Sequence, residues 1–407
     1  MLENETYICN NILRLSTSTG EIFEMKLEQK KLPESHKPYT DKYFLRTNDI
    51  LKKEGLNPVI SMKVFCRSER LLPVTGLDDA VEILTTYSNL EQTGGEVWVT
   101  AKQEFSHNES LMIIKGPAQS FIELETMYLG VLSSAISEAV GIEPPKPKQG
   151  TDKMKRLKDI YMDIPIIYFG ARHYHWSLDK EIARAVLKGG AAQTSTDIGS
   201  SNIGQKGVGT TPHVLTIILA SIYGKENATL KTAELFDKHM PLEIPRVTLV
   251  DTFNRELTDS LAVARYFGKR KNALRVDTCG ENIGEGGAPY YGRETQDPKF
   301  QTGTGVTTVL VTNIKNMLIR KGYSDNTEIF LSSGFGNETK AKAFVKANNE
   351  YKEKTGYSLF SGVGIGEISA ARFCTADLFE VNGKALAKTG REIKPGDVDF
   401  SSMKRVV

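Results

Sequence analysis

An α/β fold built around an irregular barrel of mostly parallel strands is what this 407-residue sequence predicts, and three observations carry that expectation. Short apolar runs such as PIIYFG (165–170), RVTLVD (246–251), ALRVDT (273–278) and EIFLSS (328–333) lack the alternation of a half-exposed strand. Continuous apolar strands belong to a sheet covered on both faces. Each run is followed by a helical segment, giving roughly seven strand–helix alternations, and so many in a row favour a closed barrel over an open sheet.

Before residue 150 the texture is different. ISMKVFCR and EVWVTAK read as short alternating strands, and FIELETMYLGVLSSAISEAVG (121–141) reads as one long apolar helix ended by Gly141. EPPKPKQG (143–150) reads as a linker or boundary. Beyond it, PIIYFG leads to the helix EIARAVLKGG, a weak strand lies near AAQTS, and GVGT (207–210) is a short strand before PHVLTIILASIYG. RVTLVD precedes ELTDSLAVARYFG, and ALRVDT precedes a long loop and VTTVLVTNIKNMLIRKG. EIFLSS then precedes ETKAKAFVKANNEY, and SLFSGVGI (358–365) comes last.

Composition narrows the function classes. With 40% hydrophobic and 25% charged residues the chain has a globular profile, and 52 basic against 50 acidic residues leave a formal charge of only +2. That balance gives no argument for nucleic acid or a membrane surface, so small-molecule chemistry is the expectation. Cys9, Cys66, Cys279 and Cys374 lie far apart with no CxxC, which predicts reduced thiols and no zinc ribbon. The N-terminal MLENETYICNNILRL carries acidic residues where a secretory signal needs positive charge, and no apolar run reaches the roughly 18 residues of a membrane span. A cytoplasmic protein is expected.

Parallel barrels place their sites at the C-terminal strand ends. Reading the residues there gives Phe169 and Arg172, Ser195, Thr210 and His213, Asp251, Arg275 and Asp277, then Ser332, Ser333 and Gly334, and finally Gly362, Gly364 and Gly366. The SSG and GVGIG turns allow backbone N–H groups to approach a phosphate, although short glycine runs after strands are mostly plain turns. Arg172 and Arg275 offer guanidinium forks for phosphate or carboxylate. Asp251 and Asp277 follow apolar runs, where a lone carboxylate is costly, so they must meet cations: the arginines, or magnesium carried on a phosphorylated substrate. Phe169 is either a core ring or a platform for a flat ligand, and Tyr43 in DKYFLRT either packs or reaches over a barrel mouth. His213 has three readings: a helix-start cap, an acid/base, or a nucleophile that takes up a phosphoryl group beside a helix N-terminus. His173 and His175 lack a third ligand at helical spacing, so no metal is expected on them.

In order along residues 36 to 385, the stretches DKYFLRT, FIELET, FGAR, GGAAQTS, VGTTPH, LVDT, LRVDT, SSG and GVG resemble the nicotinate phosphoribosyltransferases, within the type II group that includes the quinolinate and nicotinamide enzymes. The resemblance implies attack of nicotinate on 5-phosphoribosyl-1-pyrophosphate, giving nicotinate mononucleotide and pyrophosphate in NAD biosynthesis, with magnesium and with ATP hydrolysis through a phosphohistidine. It implies that His213, with Thr210 beside it, takes up the phosphoryl group. Phe169 and Tyr43 from a neighbouring subunit are then the two faces around the pyridine, and Arg172 and Arg275 face the ligands. Asp251 and Asp277 orient ribose, magnesium or pyrophosphate, while Ser333, Gly334, Gly364, Ile365 and Gly366 form the phosphate cradle. Ser195 stands where nicotinamide-specific relatives carry an aspartate, which favours nicotinate. Expected alternatives are another pyridine base, nicotinamide or quinolinate, or a catalytically silent regulatory homologue.

The same resemblance implies an α/β barrel at 151–368 beside an α+β sandwich domain formed by residues 1–150 and the tail 369–407. A homodimer with shared sites is expected, because the Tyr43 lid is to cross to another subunit. The sequence departs from the family at FGARH, where His173 replaces an arginine, at GVGIG, where Ile365 replaces a hydroxyl residue, and in the long segment 280–303.

Overall fold

The computed structural model describes residues 31–68, 70–290, 300–393 and 398–407 together with three strands near the N-terminus. Part of the long 280–303 segment, residues 291–299, lies outside the described residues. Contacts divide the chain into Met1–Ser35 and His36–Val407. The first unit holds an antiparallel meander of Thr6–Cys9, Ile12–Ser16 and Ile22–Lys26.

In the second unit the apolar runs form one all-parallel sheet. Its order is Gln193–Thr194, Ile166–Tyr168, Gly362–Ile365, Thr327–Leu331, Asn272–Val276 and Val247–Leu249. Ile166, Leu274, Val276, Ile329, Leu331 and Val363 are all buried. Burial is continuous along Gly362–Ile365 but alternates along Asn272–Val276 and Thr327–Leu331, where Ala273, Arg275, Glu328 and Phe330 are the less buried residues. The helices Asp179–Lys188, Glu256–Phe267, Thr308–Arg320 and Glu338–Thr355 follow where the sequence places them.

The sheet is a curled half-barrel and not a closed ring: among the described residues no pairing joins its edges at 193–194 and 247–249. Gly207–Thr210 is not the strand expected. Val208 N–H donates to the Thr194 carbonyl at 2.9 Å, and then Gly209, at φ 143°, turns the chain away. Two other expectations are corrected. The linker at 143–150 runs into a helix, Pro147–Tyr161, whose first-turn proline has no N–H to leave unpaired. The helix expected over 121–141 breaks at a 3₁₀ turn, Ile122–Leu124, so that Glu125 begins the helix Glu125–Ala139. A further helix, Lys225–His239, follows His213–Tyr223 across Gly224, at φ 81°.

A second, antiparallel sheet has the order Lys384–Ala385, Cys374–Val381, Val59–Cys66, Met112–Pro117, Glu96–Thr100 and Met403–Arg405. Tail strands thus flank strands from the first third of the chain. The tail also sets Cys374 opposite Cys66, so two thiols that look isolated in sequence face each other as free cysteines. The Glu125–Ala139 helix packs on the turn Ala171–His173. That approach needs glycine at 130, since a Cβ there would lie 2.5 Å from the Tyr174 carbonyl oxygen. Gly130 therefore positions Arg172.

Candidate active site

A cavity of about 520 Å³ opens off the C-terminal strand ends. Arg172 reaches it from the turn after Ile166–Tyr168, Arg275 and Asp277 from the end of Asn272–Val276, Ser333 from the loop after Thr327–Leu331, and His213 from the first turn of its helix. The opposite wall comes from the tail: Arg372, Cys374 and Asp377 on or beside the Cys374–Val381 strand, then Lys388 and Arg391. Six cations, Arg67, Arg172, Arg275, Arg372, Lys388 and Arg391, line it against three carboxyl groups, Glu125, Asp277 and Asp377. The buried Nε atoms of Arg275, Arg372 and Arg391 have no hydrogen-bond partner. A lining with this excess of cations suits anions.

His213 sits in a network that fixes its tautomer. Lys388 Nζ lies 2.9 Å from His213 Nε2, and an ammonium can only donate, so Nε2 accepts and Nδ1 carries the proton. Nδ1–H then donates to Thr252 Oγ1 at 3.1 Å. Burial, followed by the Lys388 charge, pulls the His213 pKa below its ordinary value against the opposing pull of Asp251 and Asp277, so the ring is neutral at pH 7. Lys388 also donates to Asp251 Oδ2 and to the Asp277 carbonyl oxygen at 3.3 Å. Its pKa is raised: burial works the other way, but Asp251 and Asp277 outweigh it. Burial likewise pushes the Asp277 carboxyl up, yet the charges of Arg275 at 3.8 Å and of Lys388 hold it well below the usual carboxylate range. Asp277 is therefore ionised and faces the cavity.

At the other end, Arg172 Nη1 donates to Tyr43 Oη at 2.7 Å and lies 3.5 Å from Glu125 Oε1. The Tyr43 hydroxyl in turn donates to Asp41 Oδ2 at 3.2 Å, and the guanidinium carbon stands 5.9 Å from the Tyr43 ring centre. Tyr43 belongs to the Lys42–Lys53 helix of the same chain. Within this chain it meets Arg172. His173 is buried and neutral, its pKa pushed down to about 3 by burial and then by Arg172. Its Nδ1–H donates to the Gly366 carbonyl at 3.0 Å, and its ring stacks on Phe373. The histidine in FGARH is thus a neutral, fixed part of the cavity wall.

Of the residues read from sequence, Tyr43, Arg172, His173, His213, Arg275, Asp277 and Ser333 line the cavity. The others do not. Asp251 lies behind the wall, its side chain fully buried on Lys388 and its Oδ1 without a partner. Phe169 lies against Gly364, where a Cβ would come 2.8 Å from the ring. Ser195 is buried, with its carbonyl accepting from Lys42 N–H at 2.9 Å. Thr210 and Ile365 are buried as well, and Gly334, Gly364 and Gly366 stand outside the lining. Ser333 and Gly334 both take φ 78°, which is unusual for serine and marks a strained turn at the strand end.

Sequence reasoning missed Glu125, Arg67, Arg372, Lys388 and Arg391. FIELET signalled Glu125 only as part of a helix, and nothing local marks the tail residues, which reach the cavity through sheet pairing with distant strands. Among the described residues no group of three or more His, Cys, Asp or Glu side chains is placed to hold a metal ion, and no helix is long and apolar enough to cross a membrane.

Fold and cavity together define an anion-handling α/β half-barrel with its site at the strand ends. Residues 41–136 match the family model of the quinolinate phosphoribosyl transferase N-terminal domain. A putative nicotinate phosphoribosyltransferase from Saccharomyces cerevisiae superposes with a TM-score of 0.66 at 15% identity, over 91% of this chain and 97% of that one. The nicotinate phosphoribosyltransferase of Vibrio cholerae gives 0.60 at 13% over 86% and 87%, and that of Porphyromonas gingivalis 0.59 at 14% over 86% and 92%. At these identities the likeness establishes a shared fold. With the matched segment, it bears out the resemblance to the nicotinate and quinolinate phosphoribosyltransferase family.

Proposed function

We propose that this chain is a nicotinate phosphoribosyltransferase that joins nicotinate to 5-phosphoribosyl-1-pyrophosphate, releasing pyrophosphate, and thereby serves NAD biosynthesis. The observation that carries the reading is the set of Arg172, Arg275, Asp277, His213 and Ser333 around one cavity at the strand ends. In this reading Arg172, held beside the Tyr43 ring, takes the carboxylate of the pyridine. The ring nitrogen is the nucleophile, so no protein base is needed at that step. Departure of pyrophosphate leaves positive charge on the ribose, which the ionised Asp277 stabilises, while Arg275 and the tail arginines neutralise the leaving group.

Magnesium would arrive with the pyrophosphate and meet Asp277, whose carboxylate faces the cavity; Asp251 is committed to Lys388. A divalent ion held by one carboxylate plus phosphates suits a site without a protein cage. ATP coupling through His213 is part of the proposal. The neutral ring has its lone pair on Nε2, the atom that would form the N–P bond as the β-phosphate oxygen of ATP leaves, and Lys388 stands where it can follow the transferred phosphoryl oxygens. A cytoplasmic homodimer also belongs to the proposal, although Tyr43, paired within its own chain, lends it no support.

A second reading has its own observation. Arg67, Arg372 and Arg391 add cations that a single pyridine carboxylate does not require, and quinolinate carries a second carboxylate. The test is to supply nicotinate, nicotinamide and quinolinate separately with the activated ribose and magnesium, with and without ATP. Mononucleotide from nicotinate, stimulated by ATP, is expected; product accompanied by carbon dioxide from quinolinate selects the second reading, and no product from any base overturns both. His213→Ala should keep slow transfer and lose ATP stimulation. Unchanged stimulation would remove His213 as the phosphoryl acceptor.

A further inference from the structure

The FIELET motif supplies a carboxyl group that the mechanism above does not use. Glu125 begins its helix because the 3₁₀ turn Ile122–Leu124 interrupts the chain just before it, and its buried side chain lines the cavity 3.5 Å from Arg172. The same guanidinium is the proposed seat of the substrate carboxylate, so two carboxyl groups compete for one cation.

We propose that Glu125 decides whether the Arg172 end of the cavity accepts a carboxylate-bearing ring, by keeping its proton while such a ring is bound and by claiming Arg172 for itself once that proton is lost. The inference rests on the functional reading above and deepens it to substrate charge. Neutral Glu125 leaves the full charge of Arg172 to the ligand, whereas ionised Glu125 both pairs with Arg172 and repels an incoming carboxylate.

The surroundings favour the neutral form. Arg172 faces Glu125 from the turn after the Ile166–Tyr168 strand, Asp41 and Tyr43 face it from the start of the Lys42–Lys53 helix, and Asp377 from the Cys374–Val381 strand. Tyr128, on its own helix, is buried with a hydroxyl that has no partner. Burial, opposed by Arg172 and aided by Asp41 and Asp377, pushes the Glu125 carboxyl up to about 8. Tyr43 stays a phenol throughout, since burial raises it well above its ordinary value. The proton on Glu125 is thus held at neutral pH and lost just above it.

The test is the KM for nicotinate from pH 6.5 to 9 in the wild-type protein and in Glu125→Gln, with the KM for 5-phosphoribosyl-1-pyrophosphate measured alongside. Above pH 8 the wild-type KM for nicotinate should climb toward about tenfold per pH unit, with kcat and the other KM changing far less. In Glu125→Gln, which cannot ionise, that climb should vanish while activity at pH 7 persists. A wild-type KM flat to pH 9, or the same climb in the variant, overturns the inference and leaves the functional reading standing. If nicotinate yields no product at any pH, the functional reading falls and takes the inference with it. Should Glu125→Gln fail to fold, the wild-type profile decides: a climb confined to nicotinate supports the inference, and a parallel climb in both KM values overturns it.

Discussion

Replacing Lys388 by methionine tests the innermost part of the site. The Lys388 side chain is 9% exposed and that of Asp251 is 0% exposed, and the ammonium bridges Asp251, His213 and the Asp277 carbonyl. Methionine keeps most of the volume and deletes the charge, leaving the Asp251 carboxylate buried with Oδ1 already unpartnered. Breaking a buried pair by removing one member costs about 3–5 kcal/mol, which in a chain of 407 residues lowers Tm by roughly 4–6 °C. Urea unfolding at pH 8 should show the deficit, and Asp251→Asn added to Lys388→Met should recover part of it. A deficit below about 1 kcal/mol at pH 8, or no recovery in the double variant, would refute the buried-pair reasoning.

Arg172→Ala should raise the KM for nicotinate by on the order of 100-fold, the worth of a charge-assisted pair, with a smaller fall in kcat measured in the same initial-rate series. Gly130→Ala should drive a Cβ to within 2.5 Å of the Tyr174 carbonyl, cost about 1–3 kcal/mol in thermal unfolding and displace the Arg172 turn, so that the KM for nicotinate rises with it. His173, with a folded pKa of about 3, binds fewer protons than in the unfolded chain below about pH 6.5, so its contribution to stability is lost as pH falls. Relative to His173→Gln, the wild-type protein should therefore lose roughly 2 kcal/mol between pH 7 and pH 5, read from unfolding free energies of both proteins.

The strands were legible because each is a short apolar run followed by a helical segment, and strand ends are where a parallel sheet exposes its chemistry. Arg172, Arg275, Asp277, Ser333 and His213 were all found that way. Gly207–Thr210 misled because two glycines flanking a valine imitate a buried strand; only the single bond from Val208 to Thr194 is made before the chain turns. Lys388 and Arg391 were invisible for a different reason. They sit in a polar tail with no periodicity, and pairing of Cys374–Val381 with Val59–Cys66, set by contacts hundreds of residues apart, carries the tail to the cavity. Asp251 was rightly taken to need a cation, but its partner is a lysine that local sequence does not suggest.

The most direct measurement of the central claim is the stoichiometry of one reaction: purified protein with nicotinate, 5-phosphoribosyl-1-pyrophosphate and magnesium, followed by simultaneous assay of mononucleotide and pyrophosphate. The account predicts that the two appear together in equal amounts and that both depend on nicotinate. Pyrophosphate released without mononucleotide, or neither product formed, would contradict it.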